Sequence, residues 1–145
     1  MRISDLLSGK SMDQVVTVLP EASVRDLLRL LAEHNIGALV VSKDGETVDG
    51  IVSERDVVRR LAGSAGDAVL DGAVSEIMTS DVRTCEPGTS VDDLRVMMTE
   101  RRIRHVPVVE DGRLTGIISI GDVVKSSLDQ LQFERDQLDS YVHQT

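Results

Sequence analysis

Two short motifs hold the residues whose types and spacing could do chemistry. Ser53-Glu54-Arg55-Asp56 and Ser119-Ile120-Gly121-Asp122 each set a hydroxyl three residues ahead of a carboxylate. At a helix start this spacing serves two ends. The Ser can cap the first turn while the Asp reaches back to the Ser amide. Alternatively, the open amides and positive dipole end receive an anion, and the carboxylate accepts hydrogen bonds from a ribose diol. Spacing alone leaves both open. Arg101-Arg102-Ile103-Arg104-His105 is the densest cationic run. Guanidinium groups grip phosphate bidentately, and cations also settle at helix C-termini for the dipole alone.

Other reactive types are sparse. His34, His105 and His143 are scattered, with no second His or carboxylate at metal-ligand spacing, so no metal site is expected. Cys85 is the single cysteine, which excludes an intrachain disulfide and a multi-cysteine metal cage. It stands on a predicted strand of the second repeat and reads as a buried, inert thiol. No phosphate-binding P-loop and no Gly-x-Gly-x-x-Gly fingerprint is present. No acid/base or nucleophile constellation can be assembled, so the sequence does not read as an enzyme and implies no resident cofactor.

The elements that position these motifs emerge from an internal repeat. Pro20, Ser23, Val24, Asp26 and Leu27 recur as Pro87, Ser90, Val91, Asp93 and Leu94. Val41 to Gly45 recurs as Val108 to Gly112, and Gly50 to Val58 as Gly116 to Val124. The lead-ins Ile3 to Leu7 and Val74 to Met78 also correspond. Within each copy, Ser23 or Ser90 caps a helix whose apolar residues fall at i, i+3, i+4, i+7: Val24, Leu27, Leu28 and Leu31, or Val91, Leu94, Met97 and Met98. Apolar strands follow at Ala38–Val41 and Val106–Val109. The turn dipeptides Asp44-Gly45 and Asp111-Gly112 predict hairpins into Val48–Val52 and Leu114–Ile118. A second helix opens at Ser53 or Ser119. Each unit is thus β-α-β-β-α behind a short helix, with too few strands to be stable alone, so two units should share one body. The stretch from Gly63 to Gly72 reads as the linker, with a short helix in it. Val124, Leu128, Leu131, Arg135, Leu138 and Val142 follow at alternating 4 and 3 spacing, a heptad seam interrupted by Arg135. The seam either packs back on its own module or meets a second copy; a dimer contact is the expectation.

Composition narrows the classes further. The chain has 145 residues, 41% hydrophobic and 28% charged, with one Phe, one Tyr and no Trp, so aliphatic side chains must build the core. The longest apolar run, Ile36 to Val41, is far short of a membrane span, and Met1 to Lys10 shows no signal peptide. A cytoplasmic protein is expected. A net charge of −9 disfavours a nucleic-acid partner.

The duplicated unit, its Gly-hydrophobic-x-Ser-x-x-Asp after the last strand, the Val106-Pro107-Val108-Val109 strand and the Val-x-x-Ile-Met lead-in at Val74 to Met78 together resemble a tandem pair of CBS domains, a Bateman module. The resemblance covers about residues 3–127. It implies an α/β (α+β) fold of two repeats packed about a pseudo-two-fold axis, divided as 1–70, 71–127 and a C-terminal helical extension 128–145. It also implies clefts between the repeats that bind an adenine nucleotide, with Asp on ribose hydroxyls, Ser on phosphate, and Ile51 or Ile117 with Val106 and Pro107 against adenine. One cleft would carry Ser53, Arg55 and Asp56 opposite Met78, Thr79, Arg83, Arg104 and His105. The other would carry Ser119 and Asp122 opposite Val16, Gly37, Ala38 and Leu39. The first is rich in cations and the second nearly bare, so a phosphorylated nucleotide should prefer the Asp56 cleft, leaving the other empty or to a less charged adenine compound. The implied function is a regulatory module sensing AMP or ATP, homodimeric and acting in trans on a protein target. The alternative is a structural module acting through its dimer surface.

Overall fold

The computed structural model describes residues 1–8, 15–63 and 66–143. The first repeat comprises α1 (Ile3–Ser8), β1 (Thr17–Val18), α2 (Val24–His34), β2 (Ala38–Val41), β3 (Gly50–Ser53) and α3 (Glu54–Gly63). After α4 (Asp67–Asp71) and a 3-10 turn at Val74–Glu76 come α5 (Val91–Arg101), β4 (His105–Glu110), β5 (Arg113–Ser119) and α6 (Ile120–Val142). The mixed α+β architecture and the C-terminal helix match the sequence reading. Within the expected linker, the described residues include the short helix α4, while residues 64 and 65 lie outside the described set.

Capping explains why the helices start where they do. The Ser23 Oγ accepts from the Asp26 amide and the Ser90 Oγ from the Asp93 amide, each at 3.1 Å. Val24, Leu27 and Leu31 of α2, and Val91, Leu94 and Met98 of α5, then bury one face. Both helices end on a left-handed residue, Asn35 and Arg102. Asn takes that conformation readily; for Arg it is uncommon.

β2 pairs in parallel with β1 and antiparallel with β3, with Ala38 opposite Ser53 and Val41 opposite Gly50. β4 and β5 form the matching hairpin, His105 opposite Ser119. The strand expected around Cys85 shrinks to a single parallel bridge with Val108, held by Cys85 N–H to the Pro107 carbonyl at 3.0 Å and Val109 N–H to the Cys85 carbonyl at 2.8 Å.

The two hairpins differ. Asp111 and Gly112, both at positive φ, make the tight two-residue turn. In the first hairpin, β3 does not begin at Val48 as expected but at Gly50. The reason is local: the Asp44 carboxylate accepts from the amides of Glu46 (2.9 Å) and Thr47 (2.8 Å) and from the Thr47 hydroxyl (3.0 Å), which gathers the chain into a wider loop. The Thr47 and Glu46 amides hold that carboxyl well below the usual carboxylate range.

Each repeat has its own aliphatic core, and the lead-in segments cross between them. Ile3 is buried in the second core, with Leu94, Val106 and Ile118; Val74 is buried in the first, with Leu27, Leu39 and Val52. The hydrogen bonds repeat the exchange. Ile3 and Ser4 donate to the Thr89 and Pro87 carbonyls; Val74 and Ser75 donate to the Ala22 and Pro20 carbonyls, residues at corresponding positions of the two repeats. This reciprocal exchange is the pseudo-two-fold relation, and it ties the repeats into one body. Two glycines make the crossings possible. A Cβ on Gly50 would lie 2.5 Å from the Met78 Sδ and 2.9 Å from the Thr79 carbonyl; one on Gly116 would lie 2.5 Å from the Leu7 Cδ2.

Candidate functional site

The end of β3 is the foundation of the site. As the chain leaves the strand at Ser53, the Ser53 amide and hydroxyl donate to Asp56 Oδ2 at 2.8 and 3.1 Å. The Asp56 amide returns a 3.4 Å bond to Ser53 Oγ. The capping box is therefore made, and it fixes the Asp56 carboxylate at the mouth of α3. Ser119 and Asp122 build the same box on α6, with amide bonds of 2.8 and 3.2 Å.

A pocket of about 220 Å³ opens beside Ser53 and Asp56. Its floor is β3 and the start of β2, where Gly37 accepts from the Glu54 amide at 3.0 Å and Ala38 faces Ser53 across the ladder. Thr79 closes one side through paired backbone bonds of 2.9 Å with Ile51. The other wall comes from the second repeat: Arg102 and Ile103, then Arg104 and His105 leading into β4. A Cβ on Gly37 would stand 3.5 Å from Glu54 Oε1 and 3.8 Å from His105 Cε1, so those two side chains converge over that glycine.

The pocket concentrates positive charge in an acidic chain. Arg55 and Arg59 of α3 join Arg102 and Arg104 around it. Elsewhere on the surface, Arg25, Arg29, Arg95 and Arg113 pair with carboxylates. Among the described residues, no ion pair takes up Arg55, Arg59, Arg102 or Arg104. Guanidinium groups held together without carboxylate partners, next to a helix N-terminus, suit a phosphate-bearing anion. Among the described residues no cluster of His, Cys, Asp or Glu is arranged to hold a metal ion.

The structure gathers Ile51, Ser53, Arg55, Asp56, Thr79, Arg104 and His105 around this pocket. Gly37 and Ala38, expected opposite Asp122, line the Asp56 pocket, because the β2–β3 ladder sets Ala38 against Ser53. Leu39, the next residue on β2, turns inward and is 1% exposed in the first core, and Val16 packs on that core. Met78 packs on the same core over Gly50 rather than into the pocket, and Arg83 sits exposed outside it. Val106 is fully buried in the second core and Pro107 is buried beside it. Ile117 is half-buried on β5.

Five lining residues lie outside the expected set: Val52, Glu54, Arg59, Arg102 and Ile103. Arg59 was legible as the residue one turn past Arg55 on α3. Glu54 was visible inside the motif, and Arg102 read equally as a phosphate contact or a helix-end cation. At the corresponding positions around Asp122 the repeat carries Ile120, Gly121, Lys125 and Asn35 in place of Glu54, Arg55, Arg59 and Arg102.

Two repeats with exchanged lead-ins and a Ser/Asp-capped, cation-lined pocket between them define a paired-repeat module. The chain belongs to the CBS domain family, whose model matches residues 3–63 and 74–129. It is similar to a solved CBS-domain-containing protein of Agrobacterium tumefaciens, ATU1752, at 47% identity and a TM-score of 0.82, over 88% of this chain and 99% of that one. A CBS domain protein of Pyrobaculum aerophilum, PAE2072, solved with AMP, is 31% identical with a TM-score of 0.73, over 84% of this chain and 89% of that one. The CBS domain pair of protein MJ0100, solved with 5′-methylthioadenosine and S-adenosyl-L-methionine, is 25% identical with a TM-score of 0.77, over 90% and 98%.

Proposed function

We propose that this chain is a regulatory module that binds an adenine nucleotide, AMP or ATP, in the Asp56 pocket and acts in trans on a partner protein. One observation carries the reading: four arginines without ion-pair partners among the described residues surround a helix start where Ser53 and Asp56 are already fixed. In this reading the Asp56 carboxylate receives ribose hydroxyls, Ser53 and the first amides of α3 receive phosphate, and Ile51 packs on the base. The AMP complex of the Pyrobaculum protein supports a nucleotide monophosphate unit in such a pocket. The Asp122 side, with Gly121 and Ile120 in its motif, suits a less charged adenine compound, and the 5′-methylthioadenosine complex of MJ0100 supports that class. Binding regulates only when it favours one of two states or assemblies, so the output is a change in partner contact rather than catalysis.

A second reading has its own observation. On α6, Val124, Leu128, Leu131, Leu138 and Val142 are 50–66% exposed, so the predicted seam does not pack back on the module. We infer that this stripe meets the same stripe of a second copy, which makes the protein a homodimer; as a structural module it would act through that surface alone. A thermal-shift screen against AMP, ATP, S-adenosylmethionine and GTP separates the two. The sensor reading predicts stabilisation by adenine ligands of roughly 2.7 kcal/mol at about 100 times the dissociation constant, lost for phosphorylated ligands in Asp56→Ala. A folded protein that responds to none of them leaves only the structural module.

A further inference from the structure

We propose that α6 pairs with α6 of a second copy in antiparallel order, Leu128 against Leu138, and that the partner's Tyr141 seats in the groove between α5 and the base of α6. The inference rests on the homodimer reading above and deepens it.

The chain itself leaves the end of α6 uncovered. Val123 and Ser126 are the buried residues of this helix, and every residue from 128 to 142 is exposed. About four helical turns therefore project into water, and a segment of that length is marginal as a helix by itself. Leu128, Leu131, Leu138 and Val142 are 61–66% exposed along it.

The seam decides which order is favourable. In the heptad that its 4 and 3 spacing defines, Leu128, Arg135 and Val142 take the a positions and Val124, Leu131 and Leu138 the d positions. Lys125, Gln132 and Asp139 flank one edge; Ser127, Glu134 and Tyr141 flank the other. In a parallel pair like positions meet, which sets Arg135 against Arg135 inside the seam and Glu134 of each helix beside Asp139 of the other. Both contacts are repulsive. In an antiparallel pair a meets d, and one register opposes all the seam residues: Val124 to Val142, Leu128 to Leu138, Leu131 to Arg135. Each arginine then lays its methylene stem on a leucine and carries its head toward the partner's Glu134. Lys125 falls beside Asp139 at both ends of the pair. Among the described residues, no ion pair within the chain takes up Lys125, Glu134, Arg135 or Asp139.

The same register brings the partner's Tyr141 beside Ser127. A groove of about 300 Å³ opens there, with Met1, Val91, Arg95, Ser127 and Leu131 in its lining. Tyr141 is 74% exposed on its own helix. Its apolar ring and polar tip suit a groove that sets Val91 and Leu131 beside Arg95 and Ser127. Seam spacing alone does not call for a groove at that point, so its position supports the order independently.

The test is disulfide formation in a glutathione redox buffer by full-length Leu128→Cys and Leu138→Cys, both exposed positions, each alone and mixed. The expected result is a covalent dimer in the mixture and none from either variant alone. Either variant cross-linking alone overturns the antiparallel order and leaves the homodimer standing. No cross-link in any sample overturns both. A charge exchange reads the same order without cysteine. Lys125→Glu should weaken the dimer about fivefold by sedimentation, from two exposed pairs, and adding Asp139→Lys in the same chain should restore it. A double variant no tighter than Lys125→Glu contradicts the register.

Discussion

At the scale of single residues, each Ser/Asp pair caps a helix, and in the proposed function the same geometry also meets the ligand. Asp56 is a structural cap before it is a ligand group, so Asp56→Ala should cost about 1 kcal/mol of stability as well as nucleotide affinity, read by urea unfolding without ligand. Asp122→Ala should show the same stability cost. That shared loss is what allows the ligand effect of Asp56 to be isolated. Cys85 makes the opposite point: burial pushes its thiol up to about 11 from 9.0. It should stay unreactive to a disulfide reagent at pH 8 in the native protein and label promptly in denaturant. The sign of the linkage follows. The unfolded thiol ionises near pH 9 and the folded one near 11, so between these values the native state holds the extra proton and stability falls as pH rises. From sequence, the chemistry of Ser53, Arg55 and Asp56 was legible because it is local. Arg102 was not, since its role comes from where α5 ends relative to the other repeat.

Element by element, alternation and capping were readable, but crossings were not. The α2 and α5 faces and their Ser caps follow from spacing alone. The exchange that buries Ile3 in the second core and Val74 in the first has no local signature, because both lead-ins are equally apolar and adjacent in sequence to the wrong core. Gly37 and Ala38 line the Asp56 pocket because β2 pairs with β3 and sets Ala38 against Ser53. The glycines at the crossings give a ranked prediction. Gly50→Ala forces a Cβ against the Thr79 carbonyl, a backbone atom, and should destabilise by about 1–3 kcal/mol. Gly116→Ala meets only the flexible end of Leu7 and should cost less. Thermal unfolding of the two variants reads the order directly. For α6, truncation after Ser127 removes Leu128, Leu131, Leu138 and Val142 together; light scattering should show the dimer weakened or lost, and an unchanged dimer would assign the contact elsewhere.

Over the whole molecule, duplication provides two Ser/Asp-capped helix starts whose surroundings have diverged. The repeats keep the same fold, the same capping boxes and the same crossing bonds, yet Arg55 becomes Gly121 and Arg102 replaces Asn35. Against a net charge of −9, the cationic pocket is a local reversal of field. Nucleotide affinity should accordingly weaken as salt rises from 50 to 200 mM, by an amount set by the phosphates engaged. Equilibrium dialysis of radiolabelled ATP against the wild-type chain, Asp56→Ala and Asp122→Ala tests the unequal-site claim most directly. The expected result is a loss of about tenfold or more in Asp56→Ala and near-wild-type binding in Asp122→Ala. Binding abolished by Asp122→Ala and untouched by Asp56→Ala would contradict it.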